Sequence, residues 1–332
     1  MTSVARILTY TALALGLAAT VTGCTNSAKT RAIETANPPV GNFVDVDGAR
    51  VHYVQEGNGP DLVLIHGAGG NLRDFTFGLM GRLTDHYRVT AFDRPGHGYT
   101  DRVPDIATGA FATEGDSPVA QAKLLKRASA EIGIDAPIVA GHSFGGIVAL
   151  GWAVSDLDAP SDQAASSVVT IAGVSMPWPD GLGAYYTVNG SAIGGAIVVP
   201  ILSALATDTI VSNAVVDTFA PQVAPSGYAE HLGATLIVRP DSFRANVRQV
   251  NQLKPHVIAL SKRYDELTIP VEMIHGDADK TVPIHVHARE FIKVAKIGKL
   301  TELVGVGHMP HHVDPEATIA AINRAARRAG LR

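Results

Sequence analysis

The tightest constraint on this chain is a short stretch: an apolar run ending at Ala140, then Gly141-His142-Ser143-Phe144-Gly145-Gly146, then a helical run from Ile147 to Ser155. A serine between glycines at a strand-to-helix junction implies a turn so sharp that its neighbours must lack side chains. Ser143 Oγ would then stand above the edge of a sheet, beside a helix N-terminus. Taken alone, the same string also fits a glycine-rich turn with an ordinary capping serine. The rest of the chain has to decide.

From Phe43 onward, short β-branched runs alternate with helical patterns. Phe43 to Val46 and Arg50 to Gln55 flank Asp47-Gly48, a hairpin-turn signal. Leu62 to Ile65, Val89 to Phe92, Pro137 to Ala140, Ser167 to Ile171, Val271 to Ile274 and Leu300 to Val304 read as buried strands bounded by Gly, Pro or charged residues. Two antiparallel strands followed by strand-helix-strand units predict an α/β fold whose mostly parallel central sheet has helices on both faces. The alternation stops between about Gly173 and Leu267, where Trp178, Tyr185, Tyr186 and the apolar run Ala192 to Ala206 fall. Gly194, Gly195 and Pro200 interrupt that run, and it is too short to span a bilayer. An inserted, mainly helical cap lining an apolar pocket is expected, with contact at a membrane surface left open. The expected division is 41–173 and 267–332 for the two parts of the core, with 174–266 as the cap.

The motifs along this pattern resemble the α/β-hydrolase fold family, in its serine-nucleophile esterase or haloperoxidase-like branch, over nearly the whole length from Phe43. After the third strand, His66-Gly67-Ala68-Gly69-Gly70 resembles the family's oxyanion loop. By that resemblance the backbone amides of Ala68 and Phe144 are the oxyanion donors, and losing one such donor typically costs ~10²–10³ in rate. His66 itself is expected to be structural. Asp93-Arg94-Pro95-Gly96-His97-Gly98 resembles a family turn, with structural roles expected for Asp93, Arg94 and His97. His275-Gly276-Asp277-Ala278-Asp279, ahead of Pro283, offers two carboxylates. The family's triad acid matches Asp279, which leaves Asp277 to stabilise the loop. His308, in Gly305-Val306-Gly307-His308-Met309-Pro310, stands where the family has its catalytic base. The chain order Ser143, Asp279, His308 is the order of this family.

His308, His311 and His312, with His285 and His287, raise the question of a metal. No matching Cys or helical His-Glu-x-x-His accompanies them, so neither a metal nor any other cofactor is expected.

The first residues differ from everything after them. Arg6 is the only charged side chain before Cys24, and Ile7 to Val21 is an Ala/Leu-rich apolar run. Val21-Thr22-Gly23-Cys24 resembles the lipobox of bacterial lipoprotein signal peptides, which implies a signal peptide over 1–23 and lipidation of Cys24. An uncleaved anchor and a plain secretory signal are the alternatives. Cys24 is the only cysteine, so a disulfide within the chain is excluded. Residues 24–40 are polar, end at Pro38-Pro39, and read as a tether. The expected location is the bacterial cell envelope, lipid-anchored to a membrane.

At 332 residues and 46% hydrophobic, the chain can bury a large core. A net charge of −4 without long Lys/Arg runs gives no electrostatic footprint for nucleic acid. The expected activity is hydrolysis of a carboxylic ester through an acyl-enzyme, on a small-molecule substrate with an uncharged, moderately hydrophobic acyl or alkyl group. Ser143 at the nucleophile position argues against dehalogenase or epoxide hydrolase chemistry, for which the family uses Asp. A cofactor-free perhydrolase, a carbon-carbon bond hydrolase, and a ligand-binding receptor with little turnover remain as alternatives.

Overall fold

The computed structural model describes residue 20, residues 22–159 and residues 161–332. Eight strands form one sheet in the order β1-β2-β4-β3-β5-β6-β7-β8: β1 (Asn42–Val46), β2 (Ala49–Glu56), β3 (Asp61–Ile65), β4 (Arg88–Phe92), β5 (Ile138–His142), β6 (Ser167–Ile171), β7 (Val271–Gly276) and β8 (Gly298–Leu303). β1 and β2 pair antiparallel, as do β2 and β4, and every other pair is parallel. The hairpin closes through Asp47 and Gly48, both at positive φ (52° and 83°), the combination a two-residue primed turn demands.

β3, β5 and β6 are buried at every position, as strands covered on both faces must be. One apolar cluster, built around Val63, Val139, Trp152 and Phe291, covers one face. A second, built around Leu62, Leu64, Phe75, Ala140 and Ile322, covers the other. The sheet thus follows the sequence closely, because alternate residues of one run feed opposite faces.

Between β6 and β7 the chain leaves the sheet as a series of helices, of which Pro240–Asn251 is the longest. Gly194 and Gly195 lie in a π-helical turn, Gly194–Val198, that runs directly into the helix Val199–Leu205, with Pro200 in its first turn. No single helix among the described residues is long and apolar enough to cross a membrane.

The stretch read as a tether is a correction. Residues 22–36 form a helix, and it is docked. Ile33 and Asn26 are buried, Asn26 Nδ2 donates to Pro200 O at 3.0 Å, and Glu34 pairs with Arg239 at 2.8 Å. Asn37 caps the helix through Nδ2 to Ile33 O at 2.9 Å, just before Pro38-Pro39. Polar composition suggested a solvated linker, but these polar side chains find carbonyl and guanidinium partners on the cap. Of the expected signal peptide, all but residues 20, 22 and 23 lie outside the described residues.

Candidate active site

The site sits at the C-terminal ends of the central strands, where an open parallel sheet places its ligand crevices. Ser143 follows β5 directly and precedes the helix Phe144–Asp158. Its backbone is at φ 51°, ψ −116°, a strained conformation for a residue with a Cβ. The flanking glycines are required by contact. A Cβ on Gly141 would meet Gly145 O at 2.0 Å, and one on Gly145 would meet Ile65 O at 2.0 Å. Strand, turn and helix therefore approach closely enough to hold the serine in place.

Phe144 opens its helix, so its N–H has no acceptor within that helix. Ala68, on the loop after β3, lines the same cavity as Ser143 and Phe144. That cavity is about 590 Å³, within the range of small-molecule sites, and Trp178, Leu182, Tyr186, Val250 and Leu253 give it apolar walls. A second cavity, of about 650 Å³ between the 22–36 helix and the start of the Pro240–Asn251 helix, shares none of these residues.

Asp279 and His308 meet at the ends of β7 and β8. His308 Nδ1 lies 2.7 Å from Asp279 Oδ2, while Asp279 Oδ1 accepts from the amides of Thr281 (2.8 Å) and Val282 (2.9 Å). Burial pushes the Asp279 carboxyl up, but the imidazoles of His275 and His308 outweigh it and hold the group well below the usual carboxylate range. Asp279 is thus an anion able to orient His308. Asp277 meets a different partner, its Oδ1 accepting from Gly305 N at 2.6 Å across the loop that carries His308.

The histidines expected to be structural are buried and bonded. His66 Nε2 accepts from Arg94 N at 2.8 Å, so its Nδ1–H donates to Gly67 O at 2.8 Å. Asp93 accepts from the amides of Leu72 and Tyr99, both at 2.8 Å. Arg94 places its guanidinium 4.2 Å from the Phe144 ring centroid and donates to Gln121 and Gln249. Without a carboxylate in hydrogen-bond contact, burial brings its pKa down to about 9. This cation stands directly behind the Phe144 end of the site.

Two features of the site were not visible in the sequence. Asn246, on the cap helix Pro240–Asn251, accepts from Gly69 N at 2.8 Å and so ties the Ala68 loop to the cap. Replacing Asn246 by Ala is expected to loosen that loop and lower kcat ~10-fold with little change in KM, since small misplacements near the reacting centre are costly. Steady-state kinetics on the variant checks this.

The other feature is Asp74, buried beneath the site. It accepts from Tyr228 OH (2.7 Å) and contacts His311 Nε2 (3.1 Å) and His312 Nε2 (2.7 Å), while His142 Nε2 lies 2.9 Å from His308 O. Asp74, His311 and His312 could each offer a ligand atom to a metal ion, all within 4.8 Å of one another. As they stand, the carboxylate is the hub of a hydrogen-bond network joining the cap, through Tyr228, to the helix that follows His308.

Acid sensitivity follows from the same burial. Desolvation holds His97 at about 3 and His287 and His311 at about 4, with His66 and His142 also well below 6.5. Each takes up its proton only on unfolding, so its stability contribution is complete above about pH 6.5 and falls as pH drops below that value. For His97 alone the loss is about 2 kcal/mol near pH 5. The lowered carboxyls of Asp74 and Asp279 add a loss of the same sign below about pH 4. Thermal melts from pH 7.5 to 5 should show Tm falling, with a shallower slope for His97→Gln.

Residues 62–321 match the profile of the alpha/beta hydrolase family. The chain belongs to that family. It is 41% identical over 132 residues to the dihydrolipoyllysine-residue acetyltransferase component of the acetoin cleaving system of Cupriavidus necator, covering 40% of this chain and only 32% of that protein. Among solved structures it resembles a putative aryl esterase from Burkholderia cenocepacia (TM-score 0.67, 18% identity, 88% of this chain and 99% of the other). It also resembles a membrane phospholipase A (TM-score 0.64, 20% identity, 98% and 99%). At these identities the two structures share the fold, which is that of the alpha/beta hydrolases.

Proposed function

We propose that this alpha/beta hydrolase is a serine esterase that cleaves an uncharged, moderately apolar carboxylic ester through Ser143, His308 and Asp279. The observation that carries this reading is the 2.7 Å contact between His308 and Asp279, together with one cavity lined by Ser143, Ala68 and Phe144, whose walls are mainly apolar with Asp180, Lys280, His285 and His287 at its lining. In the proposed reaction, His308 takes the Ser143 proton as Oγ attacks the ester carbonyl, and Asp279 steadies the resulting imidazolium. The amides of Ala68 and Phe144 hold the oxyanion. The alcohol leaves with a proton from His308, and water activated by the same ring releases the acid. The putative aryl esterase and the membrane phospholipase A, both acyl-ester hydrolases by name, are built on the same fold and lend support.

We further propose that the protein is exported and carries a lipid on Cys24. The support is the apolar run from Ile7 to Val21, the Val21-Thr22-Gly23-Cys24 string, and the exposure of Cys24, the only cysteine. The catalytic part is tested with a fluorophosphonate probe and a series of p-nitrophenyl esters of increasing acyl length. Modification mapped to Ser143, with turnover peaking at a medium acyl chain, is expected. Tight ester binding without turnover or labelling would instead point to a receptor.

A further inference from the structure

On the outer side of the cap, Ile193, Ile197, Ile201 and Leu205 follow one another at four-residue spacing through the π-turn and the helix after it. Four residues is close to one helical turn, so they form one ridge about 18 Å long. Among the described residues none of the four is covered, with 68, 53, 44 and 69% of each exposed. Leu202 and, on the next helix, Ile210 are exposed as well. A helix face turned to water ordinarily carries charge, yet from Gly183 to Val216 the only charged residue is Asp208. Continuous apolar exposure on that scale marks a contact surface.

We propose that this ridge is a bilayer-docking surface, on which the cap lies in the membrane interface. The inference rests on the anchored N-terminus proposed above, and the connection between the two is structural. The helix that begins next to the apolar run Ile7 to Val21 is pinned to the ridge-bearing segment itself: Asn26 Nδ2 donates to Pro200 O at 3.0 Å, and Lys29 Nζ to Ser203 O at 2.7 Å and to Ala206 O. Cys24 lies two residues before Asn26, so a lipid there holds this side of the cap at the membrane. A monotopic helix of this kind binds by its buried apolar area.

The inner side of the same helix leads to the site. Val199 packs with Phe243 and Val247, Tyr186 packs against that group, and Tyr186 lines the cavity over Ser143. An apolar ester dissolved in the membrane would therefore reach the cavity wall across a single helix. The ridge's own side chains carry no charge, and the cations beside it, Lys29 and Arg244, are tied to backbone carbonyls, so docking is apolar in origin and should persist in 1 M salt.

The test uses the full chain, isolated from membranes and reconstituted into phosphatidylcholine vesicles. Variants Ile193→Cys, Ile197→Cys, Ile201→Cys and Leu205→Cys are labelled one at a time with an environment-sensitive fluorophore, as is Val304→Cys, which lies on an exposed part of the core. The unsubstituted protein reports whether Cys24 is blocked. Brominated lipids are expected to quench all four ridge labels at least threefold more than the label at 304. Ile197→Glu/Ile201→Glu should lower turnover of a vesicle-borne ester at least tenfold and leave turnover of a soluble short-chain ester unchanged.

Vesicle-bound protein whose ridge labels are no more quenched than the 304 label would overturn docking and leave the anchor standing. Protein that stays off the vesicles with a reactive Cys24 would overturn both. Ridge labels shielded without vesicles would also overturn docking, assigning the ridge to a second copy if the protein is dimeric and to residues 1–21 if it is a monomer.

Discussion

Replacing Ser143 with alanine is expected to lower ester turnover by at least ~10⁴-fold while leaving the fold intact. The substitution removes one oxygen. The contacts that hold the turn run through the backbone instead: Ser143 N donates to Ile171 O at 3.0 Å, and Ser143 O accepts from Gly146 N at 3.0 Å and Val174 N at 3.1 Å. Alanine keeps the Cβ and so keeps the strain at φ 51°. Ser143→Gly removes that strain as well, and positions of this kind store about 1–3 kcal/mol. The glycine variant should therefore melt higher than the alanine variant, with neither turning over substrate. Glycine also gives the unfolded chain more freedom, at about 0.4–1 kcal/mol, so equal melting temperatures would mean that the strain is no larger than that, and full activity in either variant would remove Ser143 from the reaction.

The same turn shows why part of this protein is legible in its sequence. Gly141 and Gly145 touch atoms close by in sequence or on the neighbouring strand, so the local string already contains the geometry. Strands such as Leu62 to Ile65 are equally plain, because burial on both faces demands an unbroken apolar run. Long-range polar contacts leave no such trace. Asn246 reaches Gly69 across 177 residues, and Tyr228 reaches Asp74 across 154, each through one ordinary polar side chain. Residues 25–36 misled for the same reason. Their polarity is that of a linker, and only the position of Pro200, Ser203 and Arg239 on the cap turns it into a docked helix. Resemblance alone favours Asp279 over Asp277 as the acid, and the loop separates their partners, Gly305 N for Asp277 and His308 Nδ1 for Asp279.

That separation yields the second large effect, a loss of ~10⁴ in kcat for Asp279→Asn against no more than a few-fold for Asp277→Asn. The argument is one of counting acceptors. Asp279 uses one oxygen for two backbone amides, Thr281 N and Val282 N, and the other for His308 Nδ1, with His275 Nε2 a more distant partner at 3.3 Å from that second oxygen. An asparagine has one oxygen and one NH2 group. If the oxygen stays on the two amides, the NH2 faces His308 Nδ1, which must then accept. The proton of the neutral ring moves to Nε2, and that nitrogen can no longer take one from Ser143. If the side chain flips, the ring keeps its tautomer but two amide donors confront an NH2, at a cost of about 1–3 kcal/mol for each donor left buried and unpaired. The first arrangement is favoured, so the variant should fold, with His308 locked in the wrong tautomer. Asp277 faces a simpler demand, since its Oδ1 accepts from a single amide, Gly305 N, and an asparagine oxygen can do the same. Nitrogen-15 chemical shifts of the His308 ring distinguish the tautomers directly. An Asp279→Asn protein whose ring still carries its proton on Nδ1, or whose kcat falls no further than that of Asp277→Asn, would show that Asp279 does not orient the base.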